Sequence, residues 1–145
     1  MAHTYSVIFV HCVFSTKGRQ PLIPEPDKLW TMMRTVASRA QINVLAVGGT
    51  TNHMHLLLAM PATRTLGDVM RELKANSSQR MRQKWPKFAW QDGYGAMSVS
   101  PTAIKAVMQY IQHQKEHHAH RPFEKEYIAM LERAGVQYDP EYVLD

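Results

Sequence analysis

The stretch INVLAVGGTTNHMHLLLAM, residues 42–60, decides the fold. Its two halves, Ile42 to Val47 and His53 to Met60, are rich in apolar and β-branched residues, and Gly48 to Asn52 between them carries turn residues. This order predicts a β-hairpin, whose second strand is closed by Pro61.

Two histidines, His53 and His55, stand two positions apart in the second strand of this hairpin. Because successive side chains of a strand alternate between its faces, both imidazoles point the same way and Met54 points the other way. Paired imidazoles suit a metal ion, but a His-x-His beside a leucine run is equally typical of a half-buried strand with polar partners. The pair alone leaves both roles open.

The flanking sequence supplies the remaining elements. Tyr5 to Ser15 and Tyr94 to Val99 are strand-like, and helical spacing of apolar residues predicts four helices. The predicted helices run from Asp27 to Ala40, from Leu66 to Trp85, from Ser100-Pro101 to about His118, and from Phe123 to Arg133. The order predicts a ferredoxin-like (split βαβ) α+β fold, with helices packed on one face of an antiparallel sheet. Residues 1–145, with 45% hydrophobic content, fit a single domain.

Charge and cysteine content narrow the class of partner and the location. The chain has 17 Lys and Arg against 12 Asp and Glu, a net charge of +5, which favours a polyanionic partner without proving one. Cys12 is the only cysteine, so the chain forms no internal disulfide and suits a reducing compartment. No segment approaches the ~20 apolar residues that span a bilayer. We therefore expect a cytoplasmic protein that does not enter the membrane.

Much of the positive charge lies on and around the second predicted helix, where seven basic residues stand between Arg64 and Lys87. Such a stripe can follow a phosphate backbone, or it can be a solvated helix face. The candidate DNA contacts are Arg71, Lys74, Arg80 and Arg82. Four aromatic residues follow, and we expect at most one or two of them to stack on bases while the others lie in the core. They are Trp85, Phe88, Trp90 and Tyr94.

The third predicted helix carries a second group of functional residue types. Tyr110 and Gln114 are four positions apart, so they lie on one helical face and can share a site. Two imidazole nitrogens and an amide oxygen would leave positions open on a divalent ion, which suits Mg²⁺ or Mn²⁺ bridging a phosphate. Four histidines near the end of this helix either favour its dipole or supply a general base. They are His113, His117, His118 and His120.

Three segments resemble the HUH transposases of single-stranded-DNA insertion sequences, which carry one catalytic tyrosine, and the related repeat-associated tyrosine transposases. The segments are Asn52 to Leu57 (NHMHLL), Tyr94 to Ser100 (YGAMSVS) and Tyr110 to Gln114 (YIQHQ), the last followed by Glu116 to His118. Met54 and Met97 depart from the Val-like and Phe-like residues of that family, which changes packing and leaves the chemistry intact.

The resemblance implies a DNA transposase that cleaves and rejoins single-stranded DNA, with hairpin ends, and acts as a homodimer. It implies that His53, His55 and Gln114 bind the metal, Mg²⁺ or Mn²⁺. It also implies that Tyr110 is the nucleophile, which forms a 5′-phosphotyrosine and leaves a free 3′-OH. In such relatives the tyrosine helix can serve the histidine pair of the other protomer, so assembly of the site in cis or in trans stays open.

Two other functions fit the same residues. A catalytically silent nucleic-acid-binding relative, such as a domesticated repressor, is disfavoured by the intact Tyr110 and Gln114. A metal-dependent phosphodiesterase would use water as its nucleophile, and Tyr110 would then only pack against the sheet. A covalent protein–DNA adduct separates this last function from a transposase.

Overall fold

An antiparallel sheet of four strands forms the centre of the fold in the computed structural model, which describes residues 3–118 and 121–145. The strands are β1 (Phe9–Ser15), β2 (Asn43–Gly49), β3 (His53–Ala59) and β4 (Gly95–Val99). The helices are α1 (Pro26–Arg39), α2 (Leu66–Lys84), α3 (Ile104–Gln112), α4 (Gln114–His118) and α5 (Phe123–Arg133). The strand order β2-β3-β1-β4, with α1 after β1 and α2 after β3, confirms the predicted ferredoxin-like fold.

Helices cover both faces of the sheet, whereas the sequence predicted them on one face. α1 and α2 enclose a core with even-numbered residues of β1 and β3, such as Phe14 and Leu56. α3 and α5 cover the odd-numbered residues, such as Leu57 and Val13. The reason lies in the composition of β1 and β3, which are buried along almost their whole length and do not alternate between buried and exposed positions. Both faces of the sheet therefore need a covering layer that excludes water.

Most predicted boundaries lie within two residues of the observed ones, and β1 differs most. β1 begins at Phe9 rather than Tyr5, because Phe9 already pairs with Ala59, the last residue of β3. The prediction of one continuous third helix was wrong. The helix begins as a short 3-10 turn at Pro101–Ala103, and its backbone leaves the helical conformation at His113, which separates α3 from α4.

Two glycines let the helices of the second layer approach the sheet closely. A Cβ atom at Gly48 in β2 would lie 2.0 Å from the carbonyl oxygen of Ile111 in α3. A Cβ atom at Gly95 in β4 would lie 2.6 Å from the ring of Tyr127 in α5. Only glycine leaves room for these contacts. They bring the end of α3 and the middle of α5 over the odd-numbered side chains of β1 and β3.

The aromatic residues that follow α2 divide between core and surface. Phe88 and Trp90 are buried with Cys12 in the core under α1 and α2, and the Trp90 ring stands edge-on to Phe14 with 4.7 Å between centroids. Trp85 and Tyr94 are half-buried, so they expose more of their surface to a possible base than Phe88 and Trp90 do. Among the described residues, none of the helices has the length and apolar character that crossing a membrane requires.

Candidate active site

β3 presents His53 and His55 to the second helical layer, where both side chains are fully buried. His53 Nε2 lies 3.0 Å from Gln114 Oε1, and His55 Nε2 lies 3.1 Å from Glu126 Oε1. The two imidazoles thus open onto one shared polar space between β3, α4 and α5.

Outer partners hold the His53 ring. Its Nδ1 lies 2.9 Å from Asn52 Oδ1 and 3.0 Å from Thr50 Oγ1. The Asn52 amide is itself oriented, because its Oδ1 accepts a hydrogen bond from Thr50 Oγ1 and its Nδ2 donates to the carbonyl oxygen of Arg19. An amide oxygen can only accept, so Asn52 favours the tautomer in which His53 Nδ1 carries the proton and the Nε2 lone pair faces the site, whereas the Gln114 amide oxygen beside Nε2 favours the other.

His11 of β1 holds His55 in a comparable way, through a hydrogen bond of 2.8 Å between His11 Nε2 and His55 Nδ1. Its neighbour Val13 pairs with His55 across the two strands, so His11 is the next side chain along on the same face. The sequence prediction missed His11, although its place as the one histidine in an apolar strand was a visible signal. A histidine whose second ring nitrogen is held in this way is typical of metal ligands.

The end of α3 brings Tyr110 and Gln114 to the histidines of the same chain. Gln114 is buried, and its Nε2 donates to the carbonyl oxygen of Tyr110 at 3.4 Å across the break at His113. The ring centroids of Tyr110 and His55 are 5.8 Å apart. The four residues predicted from the sequence therefore meet within one chain.

Glu126 of α5 completes the cluster, and the sequence prediction missed it. Its carboxylate is buried, with Oε1 3.1 Å from His55 Nε2 and 3.0 Å from His118 Nε2. The other oxygen, Oε2, accepts a hydrogen bond from the Tyr110 hydroxyl. A signal existed in the sequence, because Glu126 is three residues after Phe123 and so shares its apolar helical face, where an acidic residue needs a partner.

The donor atoms converge closely enough for one ion. A ring nitrogen of His53, a ring nitrogen of His55 and a carboxylate oxygen of Glu126 all lie within 4.8 Å of one another. Gln114 adds its amide oxygen beside His53. Two nitrogens and two oxygens from buried side chains thus face one space, and this mixed donor set is able to bind a divalent cation.

Burial and mutual contact set the charges of the cluster. Burial, reinforced by the neighbouring His55, lowers the pKa of His11 and of His53 to about 3 each, and burial lowers the pKa of His55 as well. Burial alone would raise the pKa of Glu126, but hydrogen bonds from His118 and His55 hold that pKa well below its usual range. At neutral pH the three strand histidines are neutral and the carboxylate is ionised.

Glu126 also shifts the two groups on the helical side of the site. Burial, and then the hydrogen bond to Glu126, raise the pKa of Tyr110 above its ordinary value. Burial alone would lower the pKa of His118, but its hydrogen bond and charge attraction to Glu126 outweigh burial and raise it. The phenol is therefore protonated in this arrangement, and the His118 imidazole favours its positive form.

The four histidines proposed as general bases occupy different places. His118 enters the cluster, whereas His117 is exposed and its ring centroid lies 4.8 Å from that of Tyr110. His113 is exposed and bonds a carbonyl oxygen of α3 through Nδ1, at 2.6 Å. His120 lies outside the described residues.

Because the buried histidines are neutral in the folded protein, we expect the metal-free protein to lose stability in mild acid. Unfolded histidines take up protons below pH 6.5, whereas His11 and His53 resist protonation in the fold down to about pH 3. At pH 5.5 each contributes a loss of about 1.4 kcal/mol, which His118 partly offsets because its pKa is raised. We expect the melting temperature in EDTA to fall by roughly 5 °C between pH 7.5 and 5.5. An unchanged melting temperature would contradict the assigned neutral state.

A comparison with known protein families decides the identity. The family model described as "Transposase IS200 like" matches residues 4–114. The chain belongs to the IS200-like transposase family. It is therefore an enzyme of DNA transposition, which cleaves DNA and transfers strands. The match includes His53, His55, Tyr110 and Gln114 and ends before α5, so Glu126 lies beyond it.

Individual relatives of this IS200-like transposase agree with the family match. The ISDra2 transposase TnpA of Deinococcus radiodurans is 28% identical over 118 residues, which cover 73% of this chain and 84% of the relative. A crystal structure of a D. radiodurans protein assigned as a transposase has a TM-score of 0.64 at 22% identity, covering 79% of this chain and 95% of that one. A REP-associated tyrosine transposase bound to a REP hairpin has a TM-score of 0.60 at 14% identity, covering 81% of this chain and 74% of that one. The two solved structures share its fold.

The basic residues of the transposase lie on two sides of α2. Arg71, Lys74 and Arg82 line one pocket together with Trp90, whereas Arg80 lines a second pocket that α1 helps to form. The 3.6-residue period explains the division, because Arg80 is nine positions after Arg71 and so faces the opposite way. The structure thus brings three of the four predicted DNA contacts together.

Lys74 of the transposase is tied to its own backbone. Its Nζ donates to the carbonyl oxygens of Gln91 at 2.7 Å, Asp92 at 3.1 Å and Gly93 at 2.7 Å. Burial lowers the pKa of Lys74 to about 8. Lys74 therefore holds the segment before β4 in place, whereas the Arg71 side chain is 78% exposed and bonds only its helical neighbour Asp68 among the described residues.

Proposed function

We propose that this transposase cleaves and rejoins single-stranded DNA through a covalent 5′-phosphotyrosine on Tyr110. We further propose that His53, His55, Gln114 and Glu126 bind the divalent metal, Mg²⁺ or Mn²⁺, on which cleavage depends. The observation that carries the proposal is the convergence of these four side chains on one buried space, with the Tyr110 hydroxyl bonded to Glu126 at its edge.

The residues fit a metal for two reasons. A neutral His53 carries one ring proton but meets acceptor oxygens at both ring nitrogens, those of Asn52 at Nδ1 and of Gln114 and Glu126 at Nε2, and a cation bound at Nε2 would remove this mismatch. The His118 ring, which favours its positive form, is placed 3.0 Å from both of these oxygens, so the cluster already attracts positive charge. A divalent ion bound there would polarise the scissile phosphate and stabilise the charge that builds on the leaving 3′ oxygen.

Tyr110 supplies the attacking oxygen. A bond forms between its Oη and phosphorus while the bond from phosphorus to the 3′ oxygen breaks, and that oxygen leaves as a 3′-OH. The Tyr110 hydroxyl donates to Glu126 Oε2, so Glu126 orients the attacking oxygen, and the proton that the phenol loses on attack is balanced by the proton that the leaving 3′ oxygen takes up. Because one phosphodiester replaces another, a second 3′-OH can reverse the attack and join strands without ATP.

The basic pocket supports contact with the DNA backbone. Arg71 and Arg82 extend from the outer side of α2, and Lys74 adds its charge beneath them. Arg80, on the opposite side of the helix, stays a prediction from the sequence. One solved relative binds a REP hairpin, and we propose that single-stranded DNA with hairpin ends is likewise the substrate here.

We also propose a homodimer for the joining step. Tyr110 meets His53 and His55 within one chain, so a partner is not needed to complete a site. Exchange of two strand ends requires two cleavages to be held together, however, and each chain supplies one Tyr110. Two protomers meet this requirement.

The direction of the covalent bond tests the proposal. Oligonucleotides tiled across the flanks of its own gene, labelled at either end, are incubated with the protein and Mn²⁺ and separated on a denaturing gel. We expect the 3′-labelled fragment to migrate with the protein and the 5′-labelled fragment to be free, with a 3′-OH that a polymerase extends. Two free fragments would establish a phosphodiesterase that uses water, and binding without cleavage would establish a silent module.

A further inference from the structure

A groove of about 420 Å³ opens beside Tyr110. Met97 and Val99 of β4 form its floor, Val107 of α3 forms one wall, and Met130 of α5 forms the other. Its lining is mainly apolar and half-buried, and it includes His11, the hydrogen-bond partner of His55, but neither His53 nor His55. The groove therefore adjoins the ligand cluster at His11 and Tyr110 without containing a metal ligand.

We propose that this groove binds an unpaired nucleobase, that of the nucleotide on the 3′ side of the scissile phosphate. The inference rests on the proposed function, because it takes Tyr110 as the nucleophile. The groove would position the strand at the base, whereas the metal ligands act at the phosphate.

The position of the groove selects this nucleotide. Before attack, the phosphorus must lie about 3 to 3.5 Å from the Tyr110 hydroxyl. The nucleotide on the 3′ side carries the phosphate that becomes joined to Tyr110, so it stays tethered at the groove, which Tyr110 lines. The nucleotide on the 5′ side carries the leaving oxygen, so cleavage breaks its bond to that phosphate and leaves it without a tether to Tyr110.

The size and chemistry of the groove suit a base. Sites for single small organic molecules usually have volumes of about 300 to 1,000 Å³, and this groove lies in the lower part of that range. Apolar side chains such as Val107 and Met130 can cover the flat faces of a base. In single-stranded DNA the base is unpaired and is free to turn into the groove. A paired base could not turn into the groove without breaking its duplex.

The rim of the groove supplies charge complementarity. Arg133, at the end of α5, lines the groove, is exposed and forms no ion pair within the described part of the chain. Its guanidinium can contact the next phosphate along the strand. α5 lies outside residues 4–114, so this wall is a feature of the segment that follows the family match.

Abasic nucleotides test the inference on the unaltered protein. The cleavage position is first mapped on an unmodified oligonucleotide, and the base is then removed from the nucleotide on its 3′ side or, separately, from the one on its 5′ side. Loss of a stacked base is worth about 1 to 3 kcal/mol, so we expect adduct formation to slow by about 5- to 150-fold for the 3′ substitution and less than twofold for the 5′ substitution.

Filling the groove provides the second arm of the experiment. Val107→Phe should slow adduct formation on unmodified DNA by a similar factor, and removal of the 3′ base should then cost little more. Gln112→Phe, which adds the same ring to an exposed position of the same helix, is the matched control and should behave as the parent protein. If Val107→Phe fails to fold, the abasic series on the parent protein still decides the question.

The outcomes separate the two proposals. Adduct formation on unmodified DNA that is unaffected by the 3′ abasic nucleotide overturns the groove assignment and leaves Tyr110 as the nucleophile. Absence of any adduct on unmodified DNA overturns both. An equal effect from the 5′ abasic nucleotide also overturns the assignment, because it indicates general stacking rather than one bound base.

Discussion

Replacement of Tyr110 by phenylalanine should eliminate the covalent protein–DNA adduct while the protein stays folded and still binds metal. Phenylalanine retains the ring that packs beside His55 and His117, but it lacks the oxygen that attacks phosphorus. Because no second nucleophile takes its place, we expect the rate of adduct formation to fall at least about a thousandfold. The rate is measured under single-turnover conditions with the mapped oligonucleotide and Mn²⁺.

The matched control is Tyr5→Phe, which removes the same oxygen from a side chain that is 91% exposed. This variant should form the adduct at the parent rate. Thermal unfolding of Tyr110→Phe checks its fold, since loss of the hydroxyl leaves Glu126 Oε2 without its partner and can cost about 1 to 3 kcal/mol. Cleavage that persists in Tyr110→Phe, with both DNA fragments free of protein, would show that water is the nucleophile.

The sequence predicted the sheet because its strands carry local signals. The turn residues between β2 and β3 and the apolar composition of β1 needed no tertiary information. The number of sheet faces that helices cover was harder to predict from the sequence, although the composition of β3 indicated it. Its run Leu56, Leu57 and Leu58 does not alternate, and a strand without alternation is buried on both sides.

The site shows the same difference between features with a local sequence signal and features that depend on long-range contacts. His53 and His55 share a strand face, and Tyr110 and Gln114 share a helical turn, so short-range periodicity was enough to pair them. Glu126 joins them only because α5 docks on β4, where Gly95 admits the Tyr127 ring. That contact links residues far apart in the sequence, and no local pattern specifies it.

The density of basic residues alone did not show which of them share a side of α2. The basic residues of α2 were grouped by their density, yet nine positions separate Arg71 from Arg80 and place them on opposite sides. The break at His113 is different in kind. It lies at a position whose sequence carries neither Gly nor Pro, so no local signal predicted it.

Substitution of His53 or His55 should remove metal binding, an effect that can be measured without the cleavage reaction. His53→Ala and His55→Ala each delete an Nε2 atom that we propose binds the metal. The other ring nitrogen, Nδ1, contacts Asn52 in His53 and His11 in His55, which orients each ring. Loss of an outer partner alone typically weakens metal affinity 10- to 100-fold, so loss of the ligand itself should weaken it by at least about a hundredfold. Titration calorimetry with Mn²⁺ measures the change directly.

Thermal unfolding gives an independent readout of the same prediction. A metal at about 100 times its dissociation constant stabilises the folded protein by about 2.7 kcal/mol, which raises the melting temperature by several degrees. The parent protein and His3→Ala, whose histidine is exposed, should show this rise on addition of Mn²⁺, and the two site variants should not. Comparison of each variant with and without EDTA separates the loss of metal from the cost of an altered core. A rise of parental size in both variants would remove the strand histidines from the metal site and leave Gln114 and Glu126 without nitrogen partners.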